Sequence, residues 1–178
     1  ILNFNKKLLF FVVIIVMEVV EHALLGKNLQ SLQSLDVPKN CTVLNLHQNN
    51  LRSLDGLSKS NCLTELIISS NLLQNLNLPQ LIHLPMLNNL DVSGNMIDSI
   101  IHAPFLPGVK TLYIAYNRLY TLAGLAENFP DVEVLDVRSN MLSSSTSLND
   151  LASLENLRTL LIDGGTEPND VCKMNKNL

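Results

Sequence analysis

The chain has 178 residues, 47% of them apolar, which is enough to bury one sizeable core or a row of several small ones. Its 12 basic and 16 acidic residues give a net charge of −4 with no basic stripe, so we do not expect nucleic acid as a partner. It contains 37 leucines and 22 asparagines but no tryptophan, a bias that indicates internal repeats rather than an ordinary mixed core.

The first 16 residues differ in composition from everything that follows. They use only Ile, Leu, Asn, Phe, Lys and Val, before Met17 opens an acidic stretch. One interpretation is that translation begins at Met17 and that residues 1–16 are not native. The other is a secretory leader, with Lys6 and Lys7 ahead of the apolar run Leu8–Met17. This run is too short for a membrane helix of about 20 residues, and no small-x-small cleavage site follows it, so we expect neither a membrane anchor nor secretion.

A pattern of the form L-x-x-L-x-L-x-x-N-x-L then recurs along the chain, with other apolar residues at some leucine places. Residues 17–40 hold an N-terminal cap and a weak first copy, in which Lys27 stands at the asparagine place. Residues 41–165 hold five full copies, 22 to 24 residues apart, and a sixth in which Gly165 replaces the asparagine. Residues 166–178 are predicted to be a terminal loop, truncated because no amphipathic cap covers the sixth copy. The asparagines of the full copies are Asn49, Asn71, Asn95, Asn117 and Asn140.

This periodicity predicts a solenoid. The L-x-L segment alternates apolar and polar residues, which favours a short strand with one inward face, and successive strands stack in parallel about 4.8 Å apart. Each asparagine amide can serve unpaired backbone groups where the chain turns away, so the five should form a buried ladder. The return halves carry apolar residues at three-residue spacing, except where Pro104 and Pro107 forbid a helix. We therefore expect an α/β solenoid, a horseshoe with a parallel concave sheet and short helical or 3₁₀ convex segments.

The repeat resembles the leucine-rich repeat, and its short coils with an L-x-x-L-x-x-L return half resemble the Sds22-like class, which is intracellular. Two passages are similar to the centrosomal leucine-rich-repeat and coiled-coil family: KNLQSLQSL leading to VLNLHQNNL (residues 27–35 and 43–51), and LRTLLIDGGTEPNDVC (residues 157–172). The resemblance implies a cytoplasmic scaffold, at the centrosome or cilium base, that binds other proteins. It also implies a long coiled coil, for which these 178 residues have no counterpart.

Two other functions remain open. A phosphatase-regulatory subunit is a variant within the same intracellular class. An extracellular recognition domain is the alternative from a different class, and it is supported by the apolar leader and by the sequon Asn40-Cys41-Thr42.

The sequence holds no recognisable catalytic or cofactor-binding motif, so we expect no enzyme, no cofactor and no small-molecule substrate. Its four histidines fall in different copies without metal-ligand spacing. The Gly164-Gly165 pair lacks the G-x-G-x-x-G frame of a nucleotide loop and indicates a turn. The three cysteines are expected to be free thiols, as in an intracellular protein, with Cys41 buried at a leucine place.

The outward positions of the strands form the predicted partner-binding surface. Two tyrosines in the fourth full copy would supply an aromatic anchor, and charged residues on the adjacent copies would supply a rim, the usual composition of a binding hot spot. The alternative is that these tyrosines and Ile67 merely suit a strand, since isolated exposed apolar residues are normal. The candidate partner-binding residues are Tyr113, Tyr116, Arg138, Asp136, Asp91, Ile67 and Glu65.

Overall fold

The structure is a computed structural model that describes residues 19–57, 60–164 and 169–173. The expectation for residues 1–16 lies outside these ranges, as does most of the predicted terminal loop. No helix within the described ranges is long and apolar enough to cross a membrane.

Seven three-residue strands in the described ranges build one sheet, and each strand pairs in parallel with the next, so their spatial order is the chain order. The predicted solenoid with a parallel sheet is confirmed. We call each strand, together with the segment leading to the next, a coil of the same number. The strands are β1 (Glu21–Ala23), β2 (Val43–Asn45), β3 (Glu65–Ile67), β4 (Asn89–Asp91), β5 (Thr111–Tyr113), β6 (Val134–Asp136) and β7 (Thr159–Leu161).

The strands keep one register throughout the sheet. The central leucine of each strand from β2 to β7 lies beside the central leucine of the next, for example Leu90 beside Leu112. These leucines point into the core, where all but the one in β7 are fully buried. The residues on either side of each leucine point outward, because successive side chains of a strand alternate between faces. The outward residues therefore form straight rows that cross the sheet.

The return halves are short and varied, as expected. They include 3₁₀ helices at Pro79–His83 and Ser145–Ser153 and a one-turn helix α1 at Leu125–Asn128. The return half of coil 4, with Pro104 and Pro107, has neither a helix nor a 3₁₀ segment. The N–H of Leu106 instead donates to the carbonyl of Asn128 on the next coil at 2.7 Å.

The five asparagines of the full copies are buried where each coil leaves its strand. Asn95 shows the arrangement. Its Nδ2 donates to the carbonyls of Val92 in its own coil (2.9 Å) and Ile68 in the preceding one (3.1 Å), while its Oδ1 accepts the N–H of Leu73 (2.9 Å). Each such amide satisfies backbone groups on two coils at once, which an apolar side chain of the same size could not do.

Coil 7 has a rung of this ladder that the sequence pattern did not identify. Fully buried Asn169 donates to the carbonyls of Val137 and Ile162, both at 2.9 Å, and accepts the N–H of Leu142 at 3.2 Å. These are the bonds that a ladder asparagine makes in the earlier coils. Asn169 directly precedes a second one-turn helix, α2 (Asp170–Lys173), which lies within the stretch that was expected to be a loop.

Candidate functional site

The outward row that contains Tyr113 brings together several of the predicted partner-binding residues. The pairing register places Ile67 beside Asp91, Asp91 beside Tyr113, and Tyr113 beside Asp136. Neighbouring strands are about 4.8 Å apart, so the two aspartates flank the tyrosine directly. Tyr113 is 38% exposed and is the most open of these four residues.

Asp136 does not lie on an open rim, because Arg138 covers it. Its residue exposure is only 4%, and it accepts hydrogen bonds from the Arg138 Nη2 at 2.7 Å and Nε at 3.0 Å. The backbone N–H of Arg138 donates to the same carboxylate at 3.1 Å. This bidentate pair raises the pKa of the Arg138 guanidinium, chiefly through the hydrogen bonds and then through the charge of Asp136. The two charges, which were predicted to belong to the charged rim, are therefore paired with each other.

Asp91 is half-buried on the other side of Tyr113, and its Oδ1 accepts the backbone N–H of Ser93 at 2.9 Å. This bond holds the carboxylate at the end of β4 while leaving its other oxygen without a hydrogen bond from any described residue. Asp91 is therefore an acidic group on the surface that an incoming partner can still engage.

Tyr116 lies just beyond the end of β5 and is 45% exposed. Its backbone has φ of 55°, in the left-handed region, where a bulky side chain is uncommon. The same conformation occurs immediately before every ladder asparagine from coil 2 to coil 6, at Gln48, Ser70, Gly94, Tyr116 and Ser139. The N–H of Tyr116 donates to the carbonyl of Arg138 at 2.9 Å, so the turn that carries the ring is fixed to coil 6.

Two predicted residues lie outside this cluster. Glu65 and Ile67 belong to β3, which is two strands away from β5 and therefore roughly 10 Å from Tyr113. Both are half-buried. They share the concave face with the tyrosines but do not border them.

Sequence analysis missed Arg118 and Met141, which lie directly after the ladder asparagines of coils 5 and 6. Both side chains are exposed, and Arg118 forms no ion pair with any described residue. Their backbones are fixed, because the N–H of Arg118 donates to the carbonyl of Ile97 and that of Met141 to Leu119. Both residues occupy the variable position between the asparagine and the last apolar residue of the repeat, and comparing that position between copies would have identified them from the sequence. We call Tyr113, Tyr116, Arg118, Arg138 and Met141 the tyrosine patch.

A second charged group lies at the other end of the same strands. Glu133 forms ion pairs with Lys110 (3.0 Å) and Arg158 (3.7 Å), and the hydrogen bond from Lys110 is the main reason why the pKa of Glu133 is lowered. These side chains are exposed enough for salt to screen them, so the group contributes little to stability.

The described part of the chain contains no cluster of three or more His, Cys, Asp or Glu side chains that could hold a metal ion. Cys41 and Cys62 are free thiols. Burial raises the pKa of the Cys41 thiol, so this cysteine is not activated as a nucleophile.

No protein-family model matches the chain, and no curated protein does so either. Solved structures do share its fold. Internalin C2 of Listeria monocytogenes superimposes with a TM-score of 0.63 at 23% identity, over 79% of this chain and 60% of that one. Internalin F of the same organism gives 0.59 at 18% identity, over 76% of this chain and 38% of that one. The leucine-rich-repeat domain of APL1B gives 0.52 at 23% identity, over 71% of this chain and 43% of that one.

At these identities the likeness establishes the fold, a leucine-rich-repeat solenoid. This chain spans less than two thirds of the length of each of these three proteins.

Proposed function

We propose that this chain is a non-enzymatic protein-interaction module that binds a protein partner through the tyrosine patch on its concave face. The observation that carries the proposal is the pair Tyr113 and Tyr116, two exposed aromatic residues three positions apart in coil 5. Tyrosine, arginine and methionine are among the residue types enriched in the buried centres of protein interfaces, and the exposed residues around Tyr113 include these types together with the carboxylate of Asp91.

The patch is also held in place before any partner arrives. Strand pairing fixes the backbone of Tyr113, the hydrogen bond to the Arg138 carbonyl fixes the backbone turn of Tyr116, and Asp136 fixes the guanidinium of Arg138. Groups that are already ordered lose little conformational entropy on association, so more of their contact energy contributes to affinity.

The charges indicate what the partner should present. Since Arg138 is neutralised by Asp136, the charges near the tyrosines that a partner can still engage are the cation of Arg118 and the carboxylate of Asp91, so the partner should present a basic group near Asp91 as well. An acidic side chain on the partner, beside an apolar or aromatic contact for the tyrosines, would complement this surface.

The test uses the chain as bait in a pull-down, followed by calorimetric titration of the protein captured. Tyr113→Ala should weaken binding by about 2 kcal/mol, or roughly 30-fold in Kd, with the melting temperature nearly unchanged. Arg118→Glu should slow association and add a charge penalty. Arg138→Glu is unsuitable as a test, because it would leave the buried Asp136 beside a second carboxylate.

The matched control is Glu127→Lys, a charge reversal at an exposed position of helix α1 in the return half of coil 5. If Glu127→Lys loses the partner while Tyr113→Ala and Arg118→Glu retain it, the partner docks on the convex side and this proposal is wrong.

For the cellular context we propose a cytoplasmic scaffold, at the centrosome or cilium base or as a phosphatase-regulatory subunit, supported by the motif resemblance and the free thiols. One observation favours the extracellular alternative: Asn40 of the sequon is exposed and could carry a glycan, although Thr42 is buried. Mass spectrometry of the protein from its native cells distinguishes the cytoplasmic proposal from the extracellular alternative. A terminus at Met17 or Glu18 without a glycan supports the cytoplasmic proposal, whereas a terminus near Leu24 with a glycan on Asn40 contradicts it.

A further inference from the structure

The sequence contains two Asp-Gly pairs, Asp55-Gly56 in the return half of coil 2 and Asp163-Gly164 just beyond the end of β7. All four residues are exposed, so water reaches both pairs. An aspartate followed by glycine is open to cyclisation, because glycine has no side chain to shield its backbone nitrogen from the neighbouring carboxyl group. The sequence makes the two pairs equivalent, but the fold holds them in different ways.

In the pair at coil 7, the carboxyl group lies against the nitrogen that would attack it. The backbone N–H of Gly164 donates to Oδ1 of Asp163 at 2.8 Å. Since Oδ1 is bonded to Cγ, this contact brings the nitrogen next to the carbon with which it would form a bond. Apart from its chain neighbours, a Cβ built on Gly164 would meet no heavy atom of a described residue within 4 Å. The pair therefore has the proximity and the space that ring closure needs.

In the pair at coil 2, side chains from elsewhere hold the carboxylate. The hydroxyl of Ser53 donates to Oδ2 of Asp55 at 2.9 Å, and Nε2 of Gln80 on coil 3 donates to Oδ1 at 2.8 Å. Ring closure here would have to break both hydrogen bonds. Gly56 is also packed against coil 1, since a Cβ built on it would lie 2.3 Å from the backbone nitrogen of Gln33. Both halves of this pair are therefore restrained.

We propose that Asp163 is a site of spontaneous isoaspartate formation in the folded protein, and that the fold protects Asp55 from the same reaction. In the first step the nitrogen of Gly164 forms a bond to Cγ of Asp163. One oxygen of the protonated carboxyl group leaves as water, taking its own proton and that of the N–H, and a succinimide ring closes. In the second step water adds to one of the two ring carbonyls.

The position of this second attack decides the product. Opening the ring at Cγ restores aspartate, whereas opening it at the main-chain carbonyl carbon leaves the backbone running through Cγ, as isoaspartate. One water molecule is released and one is consumed, so the reaction needs only solvent and leaves the mass of the chain unchanged. Isoaspartate is thus a covalent modification that the folded chain can acquire without an enzyme.

The modification would weaken the closure of coil 7. Isoaspartate adds one carbon atom to the backbone between Ile162 and Asn169, and the carbonyl of Ile162 accepts the Asn169 amide at 2.9 Å. The same amide group accepts the N–H of Leu142 on coil 6 through its Oδ1. A longer backbone between these two ends displaces Asn169 from its partners. We therefore expect the N–H of Leu142 to exchange faster in the modified chain.

Incubation of the folded chain in ¹⁸O-water, at physiological temperature and near-neutral pH, tests the proposal. Each passage through the ring leaves one solvent oxygen on the aspartate or isoaspartate that forms. Tryptic digestion gives residues 53–59, which contain Asp55, and residues 159–173, in which fragmentation distinguishes Asp163 from Asp170. We expect label and isoaspartate to accumulate at Asp163 about 10-fold or more faster than at Asp55.

Two controls separate the fold from the dipeptide. In concentrated urea the two pairs should be labelled at similar rates, because neither set of contacts remains. Asp163→Glu keeps the charge but would need a larger ring, so it should take up no label at this position, and its Leu142 N–H should keep the parent exchange rate after incubation.

Each outcome bears on the proposal. Label at Asp163 in the folded chain, little at Asp55, and similar rates in urea support it. No label at Asp163, equal labelling of the two aspartates in the folded chain, or a difference that persists in urea overturns it. If chains that carry isoaspartate at residue 163 keep the parent exchange rate at Leu142, the predicted weakening of coil 7 is wrong.

Discussion

The central coils and coil 7 follow the same repeat but differ in how completely they are buried. The central leucines of β2 to β6 have no exposed area, whereas Leu160 of β7 is 37% exposed. In coils 2 to 6 the ladder asparagine comes three residues after the second inward residue of the strand region, as with Val92 and Asn95, but Asn169 comes seven residues after Ile162. Among the described residues, each central strand pairs on both sides and β7 pairs only with β6, so equal repeats need not be equally stable.

The largest expected effect tests this difference in the core. Leu112→Ala should lower the free energy of unfolding by about 2 to 5 kcal/mol, because it opens a cavity between two covered coils. Leu160→Ala should cost about 1 to 2 kcal/mol, since part of the side chain is already in water and no closed cavity forms. Urea unfolding of both variants gives the two values. Equal losses would contradict the uneven packing of the two coils.

The ladder gives the next largest effect. Asn95→Ala should cost about 1 to 3 kcal/mol, because it leaves the buried N–H of Leu73 without a partner and removes one of the two amide hydrogen bonds to each of the carbonyls of Val92 and Ile68. Asn169→Ala removes a comparable set of bonds, but beside β7, which pairs with one strand only among the described residues, so this coil can open by itself. Hydrogen exchange should therefore rise in residues 157–164 and 169–173, and at the N–H of Leu142 that loses its acceptor, for Asn169→Ala, and throughout the central coils for Asn95→Ala.

The control for both ladder variants is Asn156→Ala, at an exposed asparagine whose Nδ2 donates to the carboxylate of the surface residue Asp131 at 3.2 Å. It should exchange like the parent chain. If Asn169→Ala instead raises exchange in β3 or β4 as much as Asn95→Ala does, coil 7 is not a separate unit of stability.

The repeat pattern predicted the sheet and its register, because the spacing of the repeat determines whether each side chain of a strand points inward or outward. It did not identify Asn169, since a template with fixed spacing assigned that place to Gly165, and only the hydrogen bonds show which amide completes the rung. Similarly, the alternation of a strand placed Asp136 and Arg138 on one face, but not their bidentate contact, which depends on side-chain rotamers. The prolines predicted an irregular return half, but which of Phe105 and Leu106 faces solvent is decided by packing against coil 5.

The smallest expected effect separates the roles of the two tyrosines. Tyr116 has a left-handed backbone, which costs an L-residue roughly 1 to 2 kcal/mol relative to glycine, whereas Tyr113 lies in a regular strand, where glycine is unfavourable by about 0.5 to 1 kcal/mol. Tyr116→Gly should therefore be less destabilising than Tyr113→Gly by about 1 kcal/mol or more, although both remove an exposed phenol ring. Thermal melts of the two variants measure the difference. If Tyr116→Gly leaves the melt unchanged yet abolishes partner binding in the calorimetric titration, the strained position is occupied by tyrosine for recognition rather than for folding. A melt that falls as far as that of Tyr113→Gly, with partner binding retained, would mean that the ring of Tyr116 supports the turn and that the tyrosine patch is smaller than proposed.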